Sequence, residues 1–275
     1  MSITKKEAKL ATLHELMNLR GRRILITGAA GWLGRTMADT LAELGATVLL
    51  VDRNAFALAE VADDLRSRWA VDVQYYEINL EEQTQRSQLI SAVRDSGEGL
   101  HVLINNAAFV GTSDLSGWAE PFAGQSVETW RRALEVNLTA AFDLCKGFAL
   151  LLANTSGSIV NIGSIYGELG PDWGLYEGTA MANPAAYAAS KGGLLQLTRW
   201  LATTLAPKVR VNSISPGGIA RNQPSSFVTR YEARTPLGRM ASEDDFRGAI
   251  AYLVSDMSAY VTGQNLRVDG GWSVW

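Results

Sequence analysis

The sequence predicts an α/β fold, a doubly wound sheet of seven parallel strands with helices on both faces. Short runs of almost continuous apolarity recur along the chain, as expected of parallel strands that are buried on both faces. Stretches with helical periodicity lie between them, and right-handed crossovers would place these helices on the two faces of the sheet. The apolar runs are residues 24–26, 47–51, 71–78, 102–104, 158–162, 209–214 and 264–268. The helical stretches are residues 36–44, 56–69, 83–96, 128–153, 184–206 and 243–253.

The chain is predicted to form a single domain, residues 21–275, preceded by a short extension. No internal repeat, low-complexity tract or linker rich in Gly, Pro or Ser divides this domain. Residues 1–20 are mixed polar and charged, with apolar residues at helical spacing, which predicts an N-terminal helical extension. Two long connections, residues 167–183 and 219–239, interrupt the alternation of strands and helices. Long connections are usually functional or disordered, and the aromatic residues within them favour function.

Composition argues against several classes of partner. The 25 Lys and Arg residues nearly balance the 28 Asp and Glu residues, and the net charge of −3 predicts binding neither to nucleic acid nor to an anionic membrane. No run approaches the roughly 18 consecutive apolar residues of a membrane span. Two histidines, His14 and His101, are too few and too far apart to predict a metal site. The single cysteine, Cys145, cannot form an intrachain disulfide and is predicted to be a buried structural thiol, which favours a cytoplasmic protein.

A glycine-rich segment follows the first predicted strand. It reads Thr27-Gly28-Ala29-Ala30-Gly31-Trp32-Leu33-Gly34 and leads into the next predicted helix. Glycines let the turn close and let backbone N–H groups approach a pyrophosphate, and the start of the helix adds its own N–H groups and the positive end of its dipole. Because the segment lies between a strand and a helix in the first βαβ unit, it predicts a dinucleotide site. The cofactor contacts are assigned to Thr27, Gly28, Ala30, Gly31, Trp32, Leu33 and Gly34.

The end of the second strand bears on the choice of cofactor. Asp52 lies 18 positions after Gly34, where an acid accepts hydrogen bonds from the adenosine ribose hydroxyls and repels a 2′-phosphate. This position favours NAD. Arg53 leaves NADP as an alternative cofactor, because a guanidinium beside the ribose can pair with a phosphate.

Four polar residues are candidates for catalysis. Tyr187 and Lys191 are four positions apart in a predicted helix, hence on one face. A free phenol has a pKa of about 10, and a nearby ammonium together with the positive charge of oxidised nicotinamide favours its phenolate, which could exchange a proton with a substrate alcohol. Ser164 follows a strand at the edge where open α/β sheets bind ligands. Asn137 lies inside a long predicted helix at a cost in helix propensity, which indicates a buried polar role.

Together these motifs resemble the single-domain, Rossmann-type short-chain dehydrogenase/reductase family. The pattern spans residues 19–272 and is completed by Asn105-Asn106-Ala107-Ala108, Pro216-Gly217 and Val268-Asp269-Gly270-Gly271. The resemblance implies that Tyr187 is the acid/base, that Lys191 holds the nicotinamide ribose and lowers the Tyr pKa, and that Ser164 binds the substrate oxygen. It implies that Asn137 anchors a water linking Lys191 to solvent, that residues 21–275 are a dinucleotide-binding catalytic domain, and that the protein is a dimer or a homotetramer. The further cofactor contacts that it implies, besides Tyr187 and Lys191 themselves, are Asn79, Leu80, Asn106, Ala107, Ala108, Pro216, Gly217 and Ile219.

Several positions depart from the family pattern. The glycine spacing is more typical of larger members, which usually carry a further substrate domain. Ala108 replaces a usual glycine, Asn79 replaces a frequent acid, and Arg221 stands where a threonine commonly contacts the cofactor. These departures concern the details of cofactor contact more than the chemistry.

The largest departure is the interval of 23 positions from Ser164 to Tyr187, which is longer than usual in the family. Residues 167–183 therefore hold an insertion beside the reacting oxygen. The insertion is similar to that of a subset associated with bacterial surface-sugar and flagellin-glycan biosynthesis, which implies a sugar or sugar derivative as substrate. Its aromatic and polar side chains suit a polyhydroxylated ligand, although the aromatics could instead close a lid over the cofactor or pack at a subunit contact. Substrate contacts are assigned to Ser164, Tyr166, Trp173, Tyr176, Glu177 and Asn222.

The sequence thus predicts an enzyme, an NAD(P)-dependent oxidoreductase that moves a hydride between nicotinamide and a secondary alcohol or ketone of a sugar or sugar derivative. One alternative is a 3-oxoacyl-carrier reductase, against which Asp52 and the acidic insertion count. Another is a dinucleotide-binding sensor without turnover. The complete set of catalytic candidates argues against a sensor, because a binding module needs no acid/base pair.

Overall fold

The computed structural model describes residues 10–110 and 115–275, which are organised around a seven-stranded sheet. The strands are β1 Arg23–Thr27, β2 Thr47–Asp52, β3 Val73–Glu77, β4 Val102–Asn105, β5 Ser158–Ile162, β6 Arg210–Pro216 and β7 Asn265–Val268. They pair in the order β3-β2-β1-β4-β5-β6-β7, and all pairs are parallel. The strand order reverses beside β1, and doubly wound sheets bind ligands in the crevice that such a reversal opens at the carboxyl ends of the strands. The predicted fold is confirmed.

The central strands β1, β2 and β4 are largely apolar because each face of the sheet has its own core, whereas the edge strand β3 exposes Gln74 and Tyr75. Side chains alternate along a strand, so Ile24 and Ile26 of β1 join one hydrophobic cluster while Leu25 joins the other. In β2, Val48 joins the first cluster and Leu49 joins the second. This double burial is the physical reason for the continuous apolar runs in the sequence.

Helices cover both faces of the sheet. The described helices are α1 Leu13–Met17, α2 Trp32–Glu43, α3 Ala55–Trp69, α4 Gln83–Asp95, α5 Val127–Leu134, α6 Ala140–Asn154, α7 Ala185–Leu205, α8 Ser225–Arg234 and α9 Arg247–Val254. Helices α2, α3 and α9 pack on one face, whereas α4, α6 and α7 pack on the other. Cys145 of α6 is buried as predicted, and burial raises the pKa of its thiol to about 12, so it is protonated at neutral pH.

Several predicted boundaries require correction. The helix predicted at residues 128–153 is three segments, because a π-helical turn at Glu135–Thr139 separates α5 from α6. Helix α2 begins at Trp32, directly after the glycine-rich turn, rather than at residue 36. The connection 219–239 contains α8, whose buried Phe227 and Tyr231 are one helical turn apart. That spacing signals an amphipathic helix, but it is short and lies among Arg and Pro residues that are typical of a loop.

The predicted N-terminal extension is described only in part. Residues 1–9 lie outside the described residues, and α1 is a five-residue helix with a capping box at Thr12 and Glu15 and no buried residue. Leu19 is fully buried in the core, and its N–H bonds the Leu44 carbonyl. The division of the chain at residue 20 stays a prediction.

The segment Val127–Asn154 is long and apolar enough to cross a membrane by length and composition alone. In the fold, its buried residues Leu144, Phe148 and Leu152 pack against the sheet. Asp143 on the same helix accepts a hydrogen bond of 2.9 Å from Arg86 of α4. The segment is therefore a helix of the layer that covers the sheet.

Candidate active site

The four catalytic candidates come together at the carboxyl ends of the strands. Ser164 lies two residues after β5 and caps a 3₁₀ turn at Ile165–Gly167, where its Oγ accepts a hydrogen bond of 3.2 Å from the Tyr166 N–H. Tyr187 and Lys191 lie in the first two turns of α7, and Asn137 lies in the π-helical turn. The structure therefore places all four where the sequence predicted them.

A glycine fixes the position of Ser164 against α7. A Cβ on Gly167 would lie 2.9 Å from the carbonyl carbon and 3.0 Å from the carbonyl oxygen of Lys191. Only glycine allows the turn to pack this closely on the helix. The turn and the helix thus meet with their backbones in contact, and Ser164 lies close enough to the Tyr187 hydroxyl to lower its pKa.

Lys191 is almost completely buried. It is 2% exposed, and its ammonium donates a hydrogen bond of 2.7 Å to the carbonyl of Ile162 at the end of β5. Burial lowers the pKa of Lys191 to about 8, because an ammonium loses solvation that one carbonyl does not replace. Its Nζ lies 5.7 Å from the centre of the Tyr187 ring.

The pKa of Tyr187 differs from the sequence prediction. Burial raises the pKa of its hydroxyl, and the nearby Ser164 side chain opposes that effect only in part. The sequence predicted that Lys191 and the positive charge of oxidised nicotinamide together lower this pKa. The difference arises because the ammonium of Lys191 is directed at the Ile162 carbonyl and lies beside the ring of Tyr187.

Asn137 connects two parts of the site through its side chain. Its Oδ1 accepts a hydrogen bond of 2.6 Å from the Phe109 N–H, in the segment after β4, and its Nδ2 donates one of 2.9 Å to Ser190 Oγ. Ser190 precedes Lys191, so Asn137 holds α7 against the loop after β4. The buried polar role predicted for this asparagine is confirmed by its 2% exposure. The implied water beside Lys191 stays a prediction.

The glycine-rich turn forms a closed cradle before α2. Gly28 has φ +66°, and a Cβ there would lie 2.8 Å from Ala107 Cα. A Cβ on Gly34 would lie 2.1 Å from the Gly28 carbonyl oxygen, so the helix can approach the turn only without a side chain at that position. Gly31 is the N-cap of α2 and no side chain caps the helix there, which leaves the N–H groups at its start available for a phosphate.

Two residues assigned to the cofactor use their side chains within the protein. Thr27 Oγ1 accepts hydrogen bonds from the N–H groups of Asn106, at 3.0 Å, and Ala107, at 3.1 Å. The Asn106 amide donates to the Thr27 and Gly28 carbonyls at 3.0 and 3.1 Å. These bonds join the loops after β1 and β4. Ala108 lies in the loop after β4 and is half-buried.

The end of β2 contacts the same cradle. The Asp52 carboxylate accepts a hydrogen bond of 3.1 Å from the Ala30 N–H and one of 3.3 Å from the Asn54 N–H. Arg53 is exposed. The Asn79 side chain accepts from the Glu81 N–H at 3.1 Å, and the neighbouring Leu80 is buried. Asp52 thus reaches the turn that would hold the pyrophosphate.

The loop after β6 completes the crevice. Pro216 ends the strand, the Gly217 N–H bonds the Val268 carbonyl at 3.0 Å, and Ile219 pairs with Ala241 in an isolated bridge. The guanidinium of Arg221 lies 5.5 Å from the ring centre of Trp32, whose side chain is 69% exposed. Arg221 thereby links this loop to the first turn of α2, a contact that the sequence did not predict.

The insertion places part of the predicted substrate set beside Tyr187. The hydroxyls of Tyr166 and Tyr176 form a hydrogen bond of 2.7 Å, and Tyr176 is close enough to Tyr187 to help raise its pKa. The Trp173 ring centre is 5.8 Å from that of Tyr176, but Trp173 is 57% exposed. Glu177 and Asn222 are exposed. The tyrosines therefore lie close to the catalytic candidates, whereas Trp173, Glu177 and Asn222 lie toward the surface.

The sequence missed four residues that surround these tyrosines. Asn183 precedes α7, Trp272 comes from the carboxyl end of the chain, and Tyr231 and Arg234 come from α8. Trp272 stacks on Tyr231 with ring centres 5.7 Å apart, and a turn in which Asp269 bonds the N–H groups of Gly271 and Ser273 holds it in place. Aromatic character alone could have indicated Trp272, but no pattern in the sequence links it to residues about a hundred positions earlier.

Comparison with known proteins identifies the family. A family model described as enoyl-(acyl carrier protein) reductase matches residues 28–273. The chain is 31% identical to galactitol 2-dehydrogenase (L-tagatose-forming) of Cereibacter sphaeroides, over 94% of this chain and 98% of that protein. It is 28% identical to 3-oxoacyl-[acyl-carrier-protein] reductase of Aquifex aeolicus, over 93% of this chain and 98% of that protein.

A solved structure shows the same likeness. The gluconate 5-dehydrogenase of Burkholderia cenocepacia, in complex with NADP and tartrate, superposes with a TM-score of 0.82 at 28% identity, covering 95% of this chain and 99% of that one. The chain belongs to the short-chain dehydrogenase/reductase family, whose members are nicotinamide-dependent oxidoreductases.

Proposed function

We propose that this protein oxidises or reduces a secondary alcohol or ketone of a polyhydroxylated substrate, a sugar or a sugar derivative, with NAD as the preferred cofactor. The observation that carries the proposal is the meeting of Ser164, Tyr187 and Lys191 beside the glycine cradle at one edge of the sheet. An acid/base, a hydroxyl that can hold the reacting oxygen and a phosphate site are the parts that such a reaction requires.

In this mechanism Tyr187 exchanges the proton of the reacting hydroxyl. Ser164, whose side chain lies near the Tyr187 hydroxyl, holds the substrate oxygen within reach of the phenol. Lys191 holds a positive charge beside the Tyr187 ring and is positioned by the Ile162 carbonyl. When bound, the nicotinamide supplies the hydride acceptor or donor, and its oxidised form adds a positive charge that favours the phenolate.

The residues of the crevice fit a dinucleotide. Gly28, Gly31 and the start of α2 would hold the pyrophosphate, because the turn is closed by glycines and the helix start has no side-chain cap. Asp52 would accept the ribose hydroxyls, and Lys191 would hold the nicotinamide ribose. The acid at position 52 supports NAD, while the exposed Arg53 keeps NADP as the second candidate.

Replacing Asp52 with asparagine should weaken the preference for NAD⁺. We expect the ratio of the dissociation constants of NADP⁺ and NAD⁺ to fall by at least about tenfold, because the negative charge that repels a 2′-phosphate is gone. Fluorescence titration of the purified proteins measures both constants. Arg53→Ala is the companion variant: weaker NADP⁺ binding there would show that the guanidinium reaches the phosphate. An unchanged ratio in Asp52→Asn would remove the argument for NAD.

The sugar-like substrate is supported by the insertion and by one class of relatives. Tyr166 and Tyr176 place a bonded pair of hydroxyls next to the turn that holds Ser164, which suits a ligand with several hydroxyl groups. Galactitol 2-dehydrogenase, a relative of similar length, acts on such a ligand by its name. A role in bacterial surface-sugar or flagellin-glycan synthesis is the narrower form of this proposal, and it rests on the insertion pattern alone.

A 3-oxoacyl-carrier reductase is the second candidate function, favoured by the Aquifex relative. A substrate panel separates the two. NAD⁺ and NADP⁺ are titrated separately, and sugars, sugar phosphates, nucleotide sugars, polyols and a 3-oxoacyl thioester are then scanned for a change in reduced-nicotinamide absorbance. We expect turnover with NAD⁺ on a polyhydroxylated compound. Turnover confined to the thioester with NADPH would establish the second candidate instead, and cofactor binding without any turnover would support a sensor.

We also propose that the protein is a cytoplasmic homo-oligomer, a dimer or a tetramer. Helices α6 and α7 expose Phe142, Leu150 and Trp200, each at least 45% accessible. Large apolar side chains on neighbouring helices are typical of subunit contacts. Trp275, which is 72% exposed, could reach a neighbouring subunit from the chain end.

A further inference from the structure

Two buried polar groups around the Tyr166–Tyr176 pair lack partners among the described residues. Asn183 is 6% exposed, yet neither its amide nitrogen nor its amide oxygen has a hydrogen-bond partner there. Trp272 is 3% exposed, and its indole Nε1 is likewise without an acceptor in the described part of the chain. Buried polar groups are rarely left unpaired because the loss of their solvation costs free energy. Each of the two therefore requires an explanation.

Both groups surround the tyrosine pair of the insertion. Asn183 interacts with the hydroxyls of Tyr166 and Tyr176 without reaching hydrogen-bonding geometry to either. The Trp272 ring meets Tyr166 edge-on, with ring centres 6.5 Å apart. Tyr166 in turn lies two positions after Ser164, and its N–H donates a hydrogen bond of 3.2 Å to Ser164 Oγ. The unpaired amide and indole N–H thus belong to the wall of the site in which the substrate would react.

Helix α8 holds this wall in place. Arg230 donates a hydrogen bond of 2.6 Å to the Glu177 carbonyl and one of 3.3 Å to the Leu175 carbonyl. Arg234 forms an ion pair with Asp172 of the insertion, and its guanidinium lies 5.2 Å from the ring centre of Trp272. The insertion, α8 and the carboxyl end are therefore joined by charged side chains, so the unpaired groups are in a fixed arrangement and not on a loose loop.

The hydrogen-bonding chemistry of Asn183, Trp272 and the two tyrosines limits the kind of ligand that they can bind. An amide offers two N–H donors and one carbonyl acceptor, an indole offers one donor, and the bonded pair of tyrosines keeps one free O–H. A hydroxyl group both donates and accepts, so it satisfies such a set. The hydrocarbon part of an acyl chain offers neither donor nor acceptor and would leave the set unpaired.

We infer that Asn183 and Trp272 bind a second hydroxyl of the substrate, on a carbon near the one that reacts, and so select polyhydroxylated alcohols over simple ones. This inference rests on the proposed function and adds to it the residues that recognise the substrate. It assigns specificity to positions 183 and 272, with Tyr166 and Tyr176 beside them. Acid/base chemistry stays with Tyr187.

The test compares Asn183→Leu, which keeps the volume and removes the amide, with the wild type on two kinds of alcohol. For a polyol that the wild type oxidises, we expect KM to rise at least about tenfold. For a secondary alcohol without neighbouring hydroxyls, such as cyclohexanol, kcat/KM should stay within about twofold, as should the Kd of the cofactor. Asn154→Leu, at the exposed end of α6, is the matched control and should change neither.

The outcomes separate this inference from the proposed function. Equal losses on both alcohols would mean that Asn183 is only structural, and an unchanged KM for the polyol would mean that its amide is satisfied by water. Either result overturns the inference while the proposed function stands. A wild type that turns over acyl thioesters and no polyol would overturn both. If Asn183→Leu does not fold, Trp272→Phe removes the indole N–H and keeps an aromatic ring, and it should raise KM for the polyol alone.

Discussion

Replacing Tyr187 with phenylalanine is expected to lower kcat by roughly a thousandfold while the Kd of the cofactor changes by less than about twofold. The substitution removes only the hydroxyl that would exchange the proton of the substrate. The ring of Tyr187 and its packing on Ala186 and Trp118 would stay. Lys191 is held by the Ile162 carbonyl and not by the phenol, so the proposed contact with the nicotinamide ribose should survive.

Steady-state kinetics on a substrate from the panel, together with a fluorescence titration of NAD⁺, measures both quantities. Tyr260→Phe is the matched control, because Tyr260 is fully exposed and its variant should behave as the wild type. If Tyr187→Phe retained most of its activity, another group would have to be the acid/base. If it lost cofactor binding in parallel with turnover, the change would have disturbed the crevice, and the loss of activity would say nothing about proton transfer.

The raised pKa of Tyr187 bears on how this reaction would depend on pH. Burial favours the neutral phenol, so the residue is better prepared to donate a proton than to accept one. Reduction of a ketone requires a proton donor, whereas oxidation of an alcohol requires a base. Oxidation should therefore gain more than reduction as the pH rises.

The fold could be predicted from the sequence because its signals are local and repeat. The central strands are short apolar runs for the reason seen in β1, where Ile24 and Leu25 enter opposite cores. The glycine cradle, too, is contiguous in the sequence. Its glycines are explained by close backbone contacts, such as that of Gly34 with the Gly28 carbonyl.

The parts that could not be predicted depend on contacts between distant residues. Thr27 and Asn106 were assigned to the cofactor, yet each side chain forms hydrogen bonds with the loop that carries the other residue. No pattern in either segment distinguishes a cofactor contact from such a bond between loops. Asn183 precedes a proline and reads as an ordinary turn residue. Only its burial without a partner indicates a function, and burial is a property of the packed chain.

Replacing Lys191 with methionine is expected to abolish measurable turnover and, near pH 7, to stabilise the fold. Burial lowers the pKa of Lys191 from 10.5 to about 8. Because the pKa in the folded state lies below that in the unfolded state, the ammonium lowers the free energy of unfolding at pH values below about 8. This penalty fades as the pH rises from about 8 toward 10.5. At about 1.4 kcal/mol per pKa unit, the penalty is roughly 3 kcal/mol.

Methionine has a similar length and no charge, so Lys191→Met removes this penalty but leaves the Ile162 carbonyl without its donor, at a cost of about 1 kcal/mol. We therefore expect a net gain of roughly 2 kcal/mol at pH 7 that disappears by about pH 10. Urea unfolding of both proteins across this range measures the difference, and Lys208→Met, at an exposed lysine, should show no such trend. A difference that is constant with pH would mean that Lys191 keeps an ordinary pKa. A variant that is less stable at pH 7 would mean that the ammonium is solvated well enough to stabilise the fold. If the expected trend is found, the protein retains a destabilising buried charge at this position, which is the pattern expected of a residue kept for catalysis rather than for stability.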